Sequence, residues 1–138
     1  MKEENLWTRT RYDSTGAVTY KLVTQNGTGI YNFKYSNGQS QAIENYKNGN
    51  LEDTMMCWHF NGQKSLITTF VLSNQQGHRM EWFDNGQLSM DATYFTDNLH
   101  GPCNSWWKNG NKRTEENYYD GELDGHQKYY YENRTLQR

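Results

Sequence analysis

The sequence is short of aliphatic side chains. Hydrophobic residues fill 33% of its 138 positions, against roughly 45–50% in an ordinary globular chain. A thick aliphatic core is therefore excluded. Proline is nearly absent, with Pro102 alone, and only two cysteines occur, Cys57 and Cys103. Two cysteines cannot make a disulfide-rich scaffold, and they read as free thiols in a reducing compartment. No run approaches the roughly 18 apolar residues of a membrane span. The charged start, Met1 to Asn5, leads into no apolar segment of the signal-peptide kind, so a cytoplasmic location is expected. A strong charge of one sign is missing too: the net charge is −2 and the pI about 6.1. Nucleic acid and anionic membrane are disfavoured as partners on that ground.

Aromatic rings are what the chain has instead. They make up 15% of it, including 11 Tyr and 5 Trp. Disordered chains lack such rings, and a thin sheet can be held together by them. The rings recur with a period. Asn-Gly stands at Asn37-Gly38, Asn61-Gly62, Asn85-Gly86 and Asn109-Gly110, each pair 24 residues after the last. The next step lands on Asn133-Arg134, a decayed copy. Four further columns share the spacing: Gly29, Asp53, Gly77, Gly101 and Gly125; Tyr46, Phe70, Tyr94 and Tyr118; Tyr35, His59, Phe83, Trp107 and Tyr131; and Lys34, Trp58, Trp82, Trp106 and Tyr130. The chain thus divides into units 29–52, 53–76, 77–100 and 101–124, with a truncated unit 125–138. Residues 1–28 read as a degenerate N-terminal repeat acting as a cap, with turns near Tyr12 to Gly16 and at Asn26-Gly27.

Asn-Gly between strand-favouring residues predicts a β-hairpin closed by a two-residue type I′ turn, which needs positive φ at both positions. Counting outward from Asn85-Gly86 places Asp84 opposite Gln87, Phe83 opposite Leu88, Glu81 opposite Met90 and Gly77 opposite Tyr94. The same count sets Gly29, Asp53 and Gly101 opposite Tyr46, Phe70 and Tyr118. Each ring is expected to fold over the glycine it faces, as aromatic residues do in designed sheets. Pro102 is placed at a strand start, where its missing N–H is tolerated. Short links force neighbouring hairpins to pair antiparallel. The expected fold is all-β: an elongated, twisted, open, single-layer meander of roughly ten to twelve strands.

The stretch Gly77, Trp82-Phe83-Asp84-Asn85-Gly86, Tyr94, Gly101 resembles the variant form of the MORN repeat, and so does Gly101, Trp106-Trp107-Lys108-Asn109-Gly110, Tyr118, Gly125. The resemblance spans about residues 29–134. It implies a hairpin meander used for binding. Bacterial chains built only of such variants are often classed as antitoxins or immunity-type proteins, and the parent repeats of eukaryotes are linked to membrane and protein scaffolding. Asp53, Lys34 and Arg134 depart from the pattern.

Chemistry-bearing motifs are few. His59 takes the place of a ring in its column and reads as packed. His78 and His126 sit two repeats apart, too far to share a metal. Cys57 and His59 lie on one strand face but lack two further zinc ligands. No Gly-x-Ser-x-Gly, no phosphate-cradling glycine loop and no ordered His–acid pair is present. No metal, cofactor or catalytic residue is expected, and the chain is read as a non-enzyme. A single layer must leave rings exposed, and such patches mark partner surfaces. Trp58, Trp82, Trp106, Trp107, Tyr130 and Tyr131 are the expected partner-binding residues. The expected partner is another protein: a toxin, an effector, or a host defence protein blocked by a phage inhibitor. The acidic residues Asp97, Asp120, Glu122 and Asp124 suit a basic one. Self-assembly through edge strands and lipid association are the competing readings.

Overall fold

The computed structural model describes residues 6–12, 15 and 18–137. Among them β1 (Leu6–Tyr12) and β2 (Val18–Gln25) pair as a separate two-stranded ladder. The expected Tyr12 to Gly16 turn falls outside the described residues apart from Tyr12 and Thr15. One eleven-stranded antiparallel sheet holds β3 (Gly29–Lys34), β4 (Ser40–Lys47), β5 (Asn50–Leu51), β6 (Asp53–Trp58), β7 (Lys64–Val71), β8 (Asn74–Trp82), β9 (Leu88–Phe95), β10 (Asn98–Trp106), β11 (Lys112–Tyr119), β12 (Glu122–Leu123) and β13 (Lys128–Tyr129). Strand order follows chain order, with β5 and β6 both paired to β4, and with β12 and β13 both on β11. The sheet is an open meander, as the repeat predicts.

The four periodic Asn-Gly turns are not the type I′ turns expected of them. Only the glycine has positive φ, +85° at Gly86, while Asn85 does not. Gly86 N–H donates to the Phe83 carbonyl (3.0 Å) and Phe83 N–H to the Gln87 carbonyl (2.8 Å). That is a three-residue loop, a type I turn followed by a left-handed glycine. The asparagine side chain dictates the choice. Asn85 Oδ1 accepts the Gln87 N–H at 3.0 Å, and Asn37, Asn61 and Asn109 do the same at 2.9–3.1 Å. Phe83 therefore faces Gln87, not Leu88, and Asp84 faces nothing. A bulge at Ser89 restores the count, since Trp82 pairs Leu88 while Glu81 pairs Met90. The outer register stands as predicted at Gly29↔Tyr46, Asp53↔Phe70, Gly77↔Tyr94 and Gly101↔Tyr118. Asn133-Arg134 makes the same turn despite losing its glycine, with Arg134 at φ +72°.

Two-residue type I′ turns do occur, at the other end of each hairpin. Asn48-Gly49, Leu72-Ser73, Thr96-Asp97 and Asp120-Gly121 all have positive φ at both positions. They close the flanking pairs Lys47↔Asn50, Val71↔Asn74, Phe95↔Asn98 and Tyr119↔Glu122. Just beyond each, the ladder breaks: Leu99 pairs Tyr94, and pairing resumes only at Cys103↔Ala92. The glycine column sits in this break. Gly101 has φ +102° and Asp53, its one substitute, +61°. Backbone conformation explains the column; covering rings do not. A Cβ at Gly77 or Gly101 would meet Thr69 or Thr93, and one at Gly29 would meet Tyr31 rather than Tyr46. Pro102 lies inside β10 at this break, not at a strand start.

Burial is confined to one face. Tyr31, Phe33, Ala42, Glu44, Tyr46, Thr68, Ala92 and Cys103 are the buried side chains of the sheet among the described residues. The register joins them across strands, as in Tyr31↔Glu44, Phe33↔Ala42 and Ala92↔Cys103. The tyrosine column folds along its own strand: Tyr46 donates to Glu44 (2.7 Å) and Tyr118 to Glu116 (3.2 Å). Phe33 is 1% exposed, and burying such a ring contributes about 1.5–3 kcal/mol. The face is thin and partly polar, with Arg79 and Glu81 paired on it at 2.6 Å.

Candidate binding face

Along β6, β8 and β10, side chains alternate between the buried face and the opposite, outer one. Trp58, Trp82 and Trp106 close these strands on the outer face, beside the Asn-Gly rim. Cations roof two of them: Lys64 Nζ lies 5.0 Å from the Trp82 ring and Lys112 Nζ 5.0 Å from Trp106. Arg113 stands over Trp107 at 4.6 Å. Between Trp106 and Tyr130 runs a groove of about 420 Å³, floored by Gly110 and edged by Lys112, Glu115 and Arg134. A groove of about 320 Å³ lies three repeats earlier, at Gln39, Ser40, Trp58 and Gly62. The groove thus recurs: Gln39, Ser40, Trp58 and Gly62 stand where Asn111, Lys112, Tyr130 and Arg134 stand in the later one. Its charges are mixed: Glu115 lies 3.7 Å from Lys112 and 3.6 Å from Lys128.

Trp58, Trp82, Trp106, Trp107 and Tyr130 are all half-buried, and Tyr131 is 50% exposed. Trp106 and Tyr130 share a groove, while Trp58 lines a separate one. The column before the turn has a structural task. Tyr35 Oη donates to the Trp58 carbonyl (2.6 Å), His59 Nε2 to that of Trp82 (2.7 Å) and Trp107 Nε1 to that of Tyr130 (3.1 Å). His59 thus replaces a tyrosine hydroxyl with a ring N–H. The asparagine side chains link consecutive turns in the same way: Asn61 to Asp84, Asn85 to Lys108 and Asn109 to Glu132, at 2.6–3.2 Å. At the rim itself Lys108 holds Asp84 at 2.7 Å and pulls its carboxyl below the usual range.

The other histidines are dispersed. His78 Nδ1 lies 3.3 Å from Asp91, His100 Nδ1 accepts the Asp120 N–H at 3.4 Å, and His126 is exposed. Cys57 and Cys103 lie four strands apart. Among the described residues no group of three or more His, Cys, Asp or Glu could hold a metal. No helix there is long and apolar enough to cross a membrane.

A second surface was not singled out from the sequence. Val71, Phe95 and Tyr119 end β7, β9 and β11 on the outer face at the type I′ rim, and all three are exposed. They too recur every 24 residues. His100 lies between two of them, its ring tilted to both, with ring centroids 5.9 Å from Phe95 and 4.9 Å from Tyr119. Leu72 and Leu123 flank the stripe and are likewise exposed.

An open sheet of repeated hairpins, with grooves and rings facing solvent, has the architecture of a repeat-based binding module. Residues 28–48 match the family model described as the MORN repeat variant. The matched span covers β3, the Asn37-Gly38 turn and β4, and the same columns recur in the units that follow. The match supports MORN-type repeats as the building unit. No curated protein matches the chain significantly.

Proposed function

We propose that this chain is a non-enzymatic protein-binding module that sequesters or inhibits one partner protein, in the manner of an antitoxin, an immunity protein or a phage inhibitor of a host defence protein. The observation that carries this reading is the uncovered outer face. A single layer with aromatic side chains on its open side offers recessed anchors such as Trp82 and Trp106, and exposed ones such as Phe95. Exposed apolar area of this kind marks interaction surfaces, and aromatic residues dominate interface energetics. Inhibition would be steric, the face covering the partner's working surface. A cytoplasmic setting agrees with two thiols held four strands apart.

Co-expression with the product of an adjacent reading frame tests the proposal. A soluble complex and loss of that product's toxicity or activity are expected. Undiminished activity in the presence of excess chain, with no complex on light scattering, contradicts it. Within a complex, Trp82→Ala with Trp106→Ala reports whether the Trp rim takes part.

A further inference from the structure

The two long rims of the sheet carry opposite charge. The type I′ rim, residues 47–53, 71–76, 95–100 and 119–124, holds six carboxylates against one cation, Lys47. The Asn-Gly rim, residues 34–40, 58–64, 82–88, 106–113 and 130–136, holds six cations against two carboxylates. The exposed stripe of Val71, Leu72, Phe95, Tyr119 and Leu123 lies along the acidic rim, each residue 48–66% exposed. The acids beside it are bonded to neutral amides. Asp97 accepts the Gln75 N–H (2.6 Å), Asp120 the Asn98 side chain (2.9 Å) and Asp124 that of Asn117 (3.4 Å). Their side chains are exposed and no cation among the described residues pairs with them, whereas Asp84 and Glu115 on the rest of the sheet sit beside lysines.

We infer that the acidic rim is the contact surface for a protein segment in which cationic side chains flank apolar ones. This rests on the binding-module reading and moves its centre from the tryptophans to the stripe. The rings and leucines supply burial. The carboxylates select a basic partner and speed its approach, and they repel acidic surfaces that would otherwise cover the same rings. His100 lies between Phe95 and Tyr119 and touches both rings at a tilt, which joins them into one continuous patch. The rim is ordered before any partner arrives, because consecutive type I′ turns are tied together. Gly49, Ser73, Asp97 and Gly121 each donate a backbone N–H to a carbonyl about one repeat earlier, at 2.8–3.1 Å.

Three synthetic peptides of equal length test this with the full chain: alternating leucine and lysine, alternating leucine and glutamate, and oligolysine. The leucine–lysine peptide is expected to bind at least about tenfold more tightly than either other, a difference of about 1.4 kcal/mol. Its amide shifts are expected to centre on Val71, Phe95 and Tyr119. Phe95→Ser with Tyr119→Ser should lower its affinity about tenfold, as loss of aromatic anchors does. Glu122→Gln with Asp124→Asn leaves the rings in place and should weaken binding and flatten its salt dependence, which keeps the test open if the ring variant loses its fold. Equal affinity for the two leucine peptides, or no response to either variant, overturns the inference. Shifts centred on Trp82 and Trp106 overturn it too, but leave the binding-module reading standing.

Discussion

Asn85 performs two tasks at one turn. Its Oδ1 closes the loop on Gln87 and its Nδ2 reaches the Lys108 carbonyl of the next repeat at 3.0 Å. Asn85→Ala removes both bonds and should cost about 1–2 kcal/mol, read by urea denaturation. Phe83 is the one member of its column without a polar tip. Phe83→Tyr should supply the bond that Tyr35 makes to Trp58 and stabilise by about 1 kcal/mol. Tyr118 gives a pH signature. Burial first, and then Glu116, pushes its hydroxyl from 10.0 up to about 12. The folded chain therefore holds that proton more tightly than the unfolded one. The stability it contributes is whole below about pH 10 and is lost as pH climbs towards 12. Melting between pH 8 and 11 should show this loss, and Tyr118→Phe should flatten it. The Cys103 thiol is raised in the same direction by burial, Glu116 and Asp91, so the half-exposed Cys57 should alkylate first at pH 8.

At the scale of the hairpin, the period, the strands and the outer register were legible in the sequence, because Asn-Gly and ring columns repeat without a gap. The turn types were not. Asn-Gly favours type I′ in a bare hairpin, but here the asparagine side chain captures a backbone N–H and selects the longer loop. The true type I′ column was obscured because only Asn48-Gly49 and Asp120-Gly121 carry its usual residues, while Leu72-Ser73 and Thr96-Asp97 do not. The left-handed region costs a residue with a Cβ roughly 1–2 kcal/mol, and asparagine tolerates it. Leu72→Asn and Thr96→Asn should therefore each stabilise by about 1 kcal/mol in thermal or chemical melts. Gly86→Val should still damage the fold, though for a different reason from a type I′ turn. It would strain φ at +85°, and the Gln63 amide would have to swing aside from the new Cβ.

For the whole molecule, the open single layer followed from a sequence poor in aliphatics and rich in rings. The tryptophan rows were visible because Trp is conspicuous, yet cations cover part of the Trp82 and Trp106 rings. The stripe at Val71, Phe95 and Tyr119 went unnoticed because its column mixes residue types and opens with Lys47. Only the turn geometry shows that it ends three strands at one exposed rim. Stability in such an array resides in each unit and its junction to the next. Both rims carry those junctions, through asparagine side chains on one and backbone N–H groups on the other. Removing one whole period should therefore preserve the sheet, and removing half should not. The direct measurement is cooperative unfolding, followed by circular dichroism, of a chain lacking residues 77–100 and of one lacking residues 77–88. A modular hairpin array predicts a folded, cooperatively melting protein from the first deletion and loss of the sheet from the second. An unfolded first variant, or two variants that melt alike, would contradict it.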